Sequence, residues 1–270
     1  MIDDVIVELP AQSTESQRTG SAVQAFMTAW STMCVGCPGG SAVMVDGLLS
    51  GRTGLPVAAF NGVWGQTAQP TVDAVLCAVE GFIDGELPWN LQLRPGYPAE
   101  IDGLLAERGL VVTAQIPFMT MIDPVPLVEL VRGSGAQLRK LQTFVELDAV
   151  LSLLEQAFGM PPELTRQAFP MRLLFQPAFT TWLLRAGDED VSTALGVMAD
   201  DWTGVFNVAT PEGHRGHGYG AVATAQAVLG GGGRAAYLQA SPLGFPVYER
   251  MGFVTAEAWT QWMPAAYAEH

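Results

Sequence analysis

The chain has 270 residues, 49% of them hydrophobic, and a formal net charge of −14 at pH 7. This length can bury one or two substantial cores. The acidic balance disfavours nucleic acid as a partner, because phosphates would be repelled, and no apolar run is long enough for a membrane span. Residues 1–10 contain no basic leader, so a cytoplasmic protein is expected.

The first half shows alternating strand and helix patterns. Hydrophobic spacing and turn residues predict a strand at 56–64, a helix at 72–83, a strand at 91–93, a helix at 100–108 and a strand at 110–119. Pro124 and Pro126 then interrupt regular structure. We therefore expect one domain over residues 1–123 and a second over residues 124–270.

The second half begins with elements of the same kind. An apolar run predicts a strand at 127–132, and apolar residues at helical spacing predict a long helix over 138–158, which Gly159 ends. Next come a helix at 162–168, which two prolines open, and two strands, at 180–184 and 192–198. In segment 158–169, Phe158, Met160 and Phe169 suggest the apolar wall of an acceptor pocket or, equally, a packed helix joint.

A glycine-rich loop lies between a predicted strand at 205–208 and a predicted helix at 221–229. Arg215 is followed by Gly216, Gly218 and Gly220. Glycine allows the main chain to approach an anion, and the first N–H groups of a helix are unpaired and lie at its positive end. Arg215 adds a fork-shaped cation. The segment therefore indicates a phosphate-binding site.

Other glycine motifs fit this loop less well. A Walker loop needs a lysine after its glycines, and the chain's one lysine is Lys140. Gly216, Gly218 and Ala221 match a dinucleotide fingerprint, but no acidic residue lies about 20 residues further on, the distance at which one should hold the ribose. An ordinary turn stays open as a further interpretation.

The elements after the loop narrow the choice. Strands at 235–239 and 253–262 flank a short helix at 246–251. With these elements the chain resembles the GCN5-related N-acetyltransferase (GNAT) superfamily. Arg215, Gly218 and Gly220 fill that family's phosphate loop, Q/R-x-x-G-x-G/A, and residues 238–253 resemble its second signature, a tyrosine shortly before Gly-Phe. The resemblance implies an α/β (α+β) fold, with a mixed, mostly antiparallel sheet flanked by helices.

The resemblance also implies a ligand and a reaction. Acetyl-coenzyme A (acetyl-CoA) would be the acyl donor, and Tyr248 would occupy the position of the general acid, unless it is a structural tyrosine. A primary amine of a small molecule or a protein would be the acceptor. The sequence itself leaves the oligomeric state open, with a homodimer as one alternative. The implied cofactor-binding residues are Val208, Arg215, Gly216, His217, Gly218, Tyr219, Gly220 and Ala221.

The general base is less clear. Family members often carry a glutamate on the strand before the loop, whereas this chain has Asn207, which cannot take a proton. Asp200, Asp201 and Glu146 are candidates that would act through water. Three functions stay open: an N-acetyltransferase, a non-catalytic acyl-CoA binding or sensing module, and acyl transfer to another acceptor or thioester cleavage.

The first half resembles a degenerate copy of the second. Its predicted elements have the same order at an offset of roughly 140 residues, but its loop at 65–71 has no arginine, and Leu105 stands where Tyr248 does. We therefore expect a tandem chain with two GNAT-like domains, in which the first domain has lost its cofactor site.

The cysteines do not indicate a metal centre. Cys34 and Cys37 have CxxC spacing, but Cys77 and the histidines His214, His217 and His270 provide no second pair at ligand spacing. We expect buried thiols in a reducing compartment and no metal.

Overall fold

The computed structural model describes residues 14–268. Its helices are α1 (Glu15–Gly36), α2 (Val72–Ile83), α3 (Glu100–Glu107), α4 (Leu127–Gly133), α5 (Phe144–Phe158), α6 (Pro162–Ala168), α7 (Met171–Leu174), α8 (Tyr219–Gly231) and α9 (Phe245–Met251). Its strands are β1 (Ser41–Val45), β2 (Leu48–Arg52), β3 (Gly62–Gly65), β4 (Asn90–Leu93), β5 (Leu110–Met121), β6 (Gln137–Lys140), β7 (Phe179–Ala186), β8 (Glu189–Ala199), β9 (Trp202–Ala209), β10 (Ala235–Gln239) and β11 (Val254–Pro264).

Some expectations fall outside this range. Residues 1–10, which bear on a leader, and His270, a possible metal ligand, lie outside the described residues. Among the helices of residues 14–268, none combines the length and the apolar character that crossing a bilayer requires.

The described strands form one mixed sheet in the order β1-β2-β3-β4-β11-β5-β10-β9-β8-β7-β6. Neighbours are antiparallel except for the parallel pairs β3–β4 and β9–β10. Each parallel pair is joined by a crossover that contains a helix, α2 or α8. The predicted class, a mixed and mostly antiparallel sheet flanked by helices, is confirmed.

The two halves of the chain exchange their last strands. β5, from the first half, pairs with β10 of the second half, and β11, from the second half, pairs with β4 of the first. β5 and β11 also pair with each other, from Val254 opposite Thr120 to Pro264 opposite Leu110. The sheet is therefore continuous through both predicted domains, and the division at residue 123 stays a prediction.

A buried ion pair joins the halves at this exchange. The guanidinium of Arg94, directly after β4, donates to both carboxylate oxygens of Glu257 on β11, at 2.8 and 2.6 Å. Both side chains are only 12–13% exposed. The indole N–H of Trp259 also donates to Glu257, at 2.9 Å. Removing the Glu257 carboxylate would leave the largely buried Arg94 guanidinium with only the backbone oxygen of Gln66, to which it donates at 2.6 Å.

Helix α1 packs against strands from both halves. Its N-terminus has a capping box, in which Thr14 and Gln17 satisfy each other's backbone N–H groups. Phe26 lies against Phe118 and Trp259 on the exchanged strands and against Tyr237 on β10. A helix from the first half thus covers strands of the second.

The second half of the sheet has helices on both faces. Adjacent residues of a strand point to opposite faces. Ala194 on β8 packs in a cluster with α8, whereas its neighbour Leu195 packs in a cluster with α5, α6 and α7. We name these two sides the α8 face, covered by α8, and the α5 face, covered by α5–α7.

Three predicted elements were wrong in type or extent. Residues 127–132 form a helix, α4, and not a strand. Residues 137–140 form strand β6, so the helix predicted over 138–158 begins only at Phe144, where Thr143 and Glu146 form a capping box. The strand predicted over 56–64 is a short 3₁₀ helix, Ala58–Phe60, followed by β3.

We predict that Glu257→Ala lowers the free energy of unfolding by about 3 kcal/mol, because it leaves the largely buried Arg94 without a neutralising carboxylate. Urea unfolding measures this loss. Glu80→Ala is the matched control, since Glu80 is 57% exposed in its ion pair with Arg108, and we expect a cost of about 1 kcal/mol or less. Equal losses in the two variants would contradict the assigned role of the Arg94–Glu257 pair.

Candidate functional site

Strands β9 and β10 pair only at their beginnings. Their parallel register covers Ala235 opposite Trp202 through Tyr237 opposite Gly204. β9 then continues to Ala209 without β10, while the end of β10 pairs with β5 on its other side. Backbone groups of β9 on this edge are therefore free of strand partners, and a gap opens between the two strands.

Beyond the end of its pairing with β10, β9 has a β-bulge in its pairing with β8. Thr193 is opposite Ala209 and Leu195 is opposite Phe206, so Ala194 faces two residues, Asn207 and Val208. Asn207 has a φ of 52°, in the left-handed region, which asparagine tolerates better than most residues. Asn207, which stands where GNAT-superfamily members often have a glutamate, thus lies at a backbone irregularity.

Helix α8 begins beside this gap. The loop before it has two left-handed glycines, Gly216 with φ 84° and Gly218 with φ 77°. Gly218 is the N-cap, no side chain accepts from the first N–H groups, and the first turn has no acidic residue. These N–H groups are free to bind an anion.

The corresponding helix of the first half has a different start. The Thr71 side chain caps α2 by accepting from the N–H of Ala74 at 3.2 Å, and Asp73 lies in the first turn. A satisfied amide and a negative charge are both unfavourable for binding phosphate. This difference is consistent with the predicted loss of the anion site in the first half.

A groove of about 930 Å³ is lined by residues of α4, α8 and α9, by the end of α5 and by the end of β9 with the glycine loop. It contains Arg215, Arg250 and His214, and no Asp or Glu is among the described residues that line it. In a chain with a net charge of −14, a groove with arginines and no carboxylate favours an anionic ligand. Its size lies within the range of small-molecule and cofactor sites.

The structure brings together all but one of the residues predicted to bind the cofactor. Those that line the groove are Val208, Arg215, Gly216, Gly218, Tyr219, Gly220 and Ala221. His217 is not among them. Its exposed ring stacks on Tyr219, and its Nδ1 lies 3.0 Å from the backbone oxygen of Arg215.

One wall of the groove was not predicted. It comes from Pro126, Leu127 and Leu130 at the start of α4 and from Ala157 and Phe158 at the end of α5. Phe158 belongs to the segment predicted to line an acceptor pocket, but it lies on the groove that holds the glycine loop. The other aromatic residue of that segment, Phe169, lines a separate cavity on the α5 face.

Tyr248, the predicted general acid, is a half-buried residue on α9 whose side chain lines the groove. Burial raises the pKa of its phenol above the usual value, and the nearby Thr224 hydroxyl opposes this. No hydrogen bond of ordinary length joins Thr224 Oγ1 to a partner among the described residues. A Cβ at position 244 would lie 2.7 Å from the Tyr248 ring, so Gly244 makes room for it.

The candidate bases lie elsewhere. Glu146 caps α5, where the backbone N–H of Gln142 lowers the pKa of its carboxyl. Asp201 lies 3.8 Å from Arg234 at the start of β9, and Asp200 is in the same turn. None of the three lines the groove or the cavity on the α5 face. The proposal that they act at the site through water is not supported by their positions.

The cysteines of the CxxC segment are buried. Burial, with a smaller contribution from Cys37, raises the pKa of Cys34 to about 12. Burial also raises the pKa of Cys37 to about 11, although Arg172 opposes it. Both thiols therefore stay protonated at neutral pH. Among the described residues, no group of three or more His, Cys, Asp or Glu side chains could hold a metal ion.

The described residues form an α/β scaffold in which a parallel strand pair separates beside a helix whose start has no side-chain cap. Solved structures share this scaffold. A GCN5-related N-acetyltransferase from Kribbella flavida is 21% identical, with 90% of this chain and 95% of that chain covered and a TM-score of 0.67.

Two further structures cover nearly the whole chain. A GCN5-related N-acetyltransferase-like protein from Streptococcus suis is 16% identical, with 92% of this chain and 98% of that chain covered and a TM-score of 0.55. A tandem GNAT protein from the clavulanic acid biosynthesis pathway is 13% identical, with 90% and 94% covered and a TM-score of 0.53. Neither the protein-family models nor the curated proteins gave a match. The chain therefore has the GNAT fold.

We predict that the Tyr248 phenol stays protonated throughout the neutral range and ionises only above the usual tyrosine pKa of about 10. Ultraviolet difference titration of the protein against Tyr248→Phe isolates this one phenol. Because the folded-state pKa is raised, Tyr248 also contributes stability that is fully present below pH about 10 and is lost as the pH rises further. A difference signal that titrates at or below the usual value would contradict the assignment.

Proposed function

We propose that this protein is an N-acetyltransferase that moves an acetyl group from acetyl-CoA to a primary amine of a small molecule or a protein. The observation that carries the proposal is the groove that joins the unpaired edge of β9 to the uncapped start of α8. The GNAT fold that the chain shares with solved acetyltransferase structures supports it.

The residues present fit the pyrophosphate of coenzyme A. Gly216 and Gly218 hold left-handed backbone conformations, and nothing lies within 4 Å of where their Cβ atoms would be, so the main chain is open to an anion there. Arg215 is exposed at the groove and its Nε donates to the backbone oxygen of Thr210 at 3.1 Å. This bond orients the guanidinium and leaves its other N–H groups for phosphate.

The remaining groups suit acyl transfer. When bound, the thioester supplies the activated acyl group. The unpaired backbone N–H groups of β9 would polarise its carbonyl. Tyr248 would donate its proton to the departing sulfur as the nitrogen–carbon bond forms and the carbon–sulfur bond breaks. Because the described lining residues include no carboxylate, the amine would lose its proton to water.

The missing carboxylate also favours a second candidate, a module that binds acyl-CoA without catalysis. A coenzyme A release assay over a panel of small amines and peptides separates the two functions. We expect release that depends on one class of amine. Tight binding of acetyl-CoA without release on any amine would support the binding module instead.

We predict that Arg215→Ala raises the dissociation constant for acetyl-CoA about tenfold or more, because a charge-assisted hydrogen bond contributes about 1.5–3 kcal/mol. Isothermal titration calorimetry measures this. Arg234→Ala is the control with the same change in charge, since Arg234 pairs with Asp201 and does not line the groove. An equal effect of the two substitutions would show that only net charge matters.

We predict that Tyr248→Phe lowers kcat with little change in the dissociation constant for acetyl-CoA, because the phenol acts only as sulfur departs. Steady-state kinetics on the amine found in the panel, together with calorimetry, gives both quantities. The wild-type protein and Tyr219→Phe serve as references, since Tyr219 also lines the groove. Equal losses of turnover and binding in Tyr248→Phe would make Tyr248 a structural residue.

A further inference from the structure

A second cavity lies on the α5 face of the sheet. It lies between the last turns of α1, the α6–α7 segment and the sheet. Its lining residues are Trp30, Met33, Cys34, Cys37, Thr53, Phe60, Ala168, Phe169, Leu173, Leu195 and Asn207. The first six belong to the first half of the chain and the others to the second half. The first half thus builds much of the wall of a cavity that reaches β9.

The cavity and the groove lie on opposite sides of β9 at its bulge. Asn207 lines the cavity, and the next residue, Val208, lines the groove. The gap between β9 and β10 begins after Gly204, so β10 does not cover this part of the strand. An acyl group attached to a thioester in the groove would therefore have the cavity on the far side of β9.

The cavity is uncharged. No Asp, Glu, Lys or Arg is among the described residues that line it. The two thiols are protonated at neutral pH, and the indole of Trp30 and the amide of Asn207 are neutral groups. Burying an ion here would cost several kcal/mol without a partner. The cavity therefore favours an uncharged, mostly apolar ligand.

The cavity is also small. Its volume of about 30 Å³ is room for roughly two water molecules. Most of the wall is buried, with Cys34, Leu173 and Leu195 at most 2% exposed. An amine acceptor must arrive from solvent, whereas an acyl chain would enter already attached to its carrier in the groove. The small volume and the position beside the bulge of β9 favour the acyl chain as the occupant.

We infer that this cavity, walled by α1 of the first half, receives the acyl chain of the thioester and limits the donor to short, uncharged acyl groups. This inference rests on the proposed function. It assigns a role to the degenerate half: that half binds no carrier of its own but sets the chain length that the second half accepts.

Met33→Ala tests the inference because Met33 lines the cavity and its truncation enlarges it. Met27→Ala is the matched control: Met27 is on the same helix and is also buried, at 1% against 8% exposure, but it does not line the cavity. Calorimetry would measure binding of coenzyme A and of its acetyl, butyryl, hexanoyl and succinyl thioesters, without an amine. Ala168→Leu, which fills the cavity, provides a variant with the opposite expected effect.

In the wild-type protein we expect butyryl-CoA to bind at least tenfold more tightly than succinyl-CoA, which carries a carboxylate. In Met33→Ala the affinity for hexanoyl-CoA relative to acetyl-CoA should rise about tenfold, while Met27→Ala keeps the wild-type ratio. Ala168→Leu should lower the affinity for butyryl-CoA relative to acetyl-CoA. All variants should bind coenzyme A alone as the wild type does.

An unchanged chain-length profile in both Met33→Ala and Ala168→Leu would overturn the inference. A change in the KM for an amine without a change in that profile would also overturn it and would assign the cavity to the acceptor. Failure of the wild-type protein to bind coenzyme A at all would instead overturn the proposed function, so the two failures are distinguishable.

Discussion

The pairing of β5 with β10 is the constraint on which the site depends. A β-strand has two edges, and β10 uses one for β9 over Ala235–Tyr237 and the other for β5 over Ala236–Gln239. The N–H of Ala240 continues on the β5 side by donating to the oxygen of Pro117 at 2.9 Å. β10 thus remains hydrogen-bonded to β5 beyond Tyr237, where its pairing with β9 ends. The gap beside the bulge is stabilised by hydrogen bonds to a strand from the other half.

This arrangement explains why a half without a phosphate loop can still be part of the site. It contributes β5, which fixes β10, and α1, which covers the α5 face and ends at the buried cysteines. In return, β11 completes the sheet of the first half beside β4, where Glu257 neutralises Arg94. Neither half would have a complete sheet alone, because each would expose the long edge that the exchanged strand covers.

Local signals in the sequence predicted some elements accurately and others wrongly. The ends of α2 and β10 were predicted to the residue; a capping threonine marks the start of α2, and a glycine cluster precedes β10. The segment LVELVR at 127–132 is a short apolar run that suits a strand or a helix equally. Pro126 before it, which favours a helix start, was the available signal.

Long-range features could not be predicted in the same way. The exchange pairs Met121 with Ala236 and Leu91 with Trp262, residues that are far apart in the sequence, and apolar alternation does not identify the partner of a strand. The wall of the groove formed by α4 and α5 depends on that same tertiary arrangement. Thr143-x-x-Glu146 is a capping box that could have separated β6 from α5. The chain as a whole is acidic, yet no Asp or Glu is among the described residues that line the groove and the cavity. Where the carboxylates lie depends on tertiary packing, so the sequence alone did not predict it.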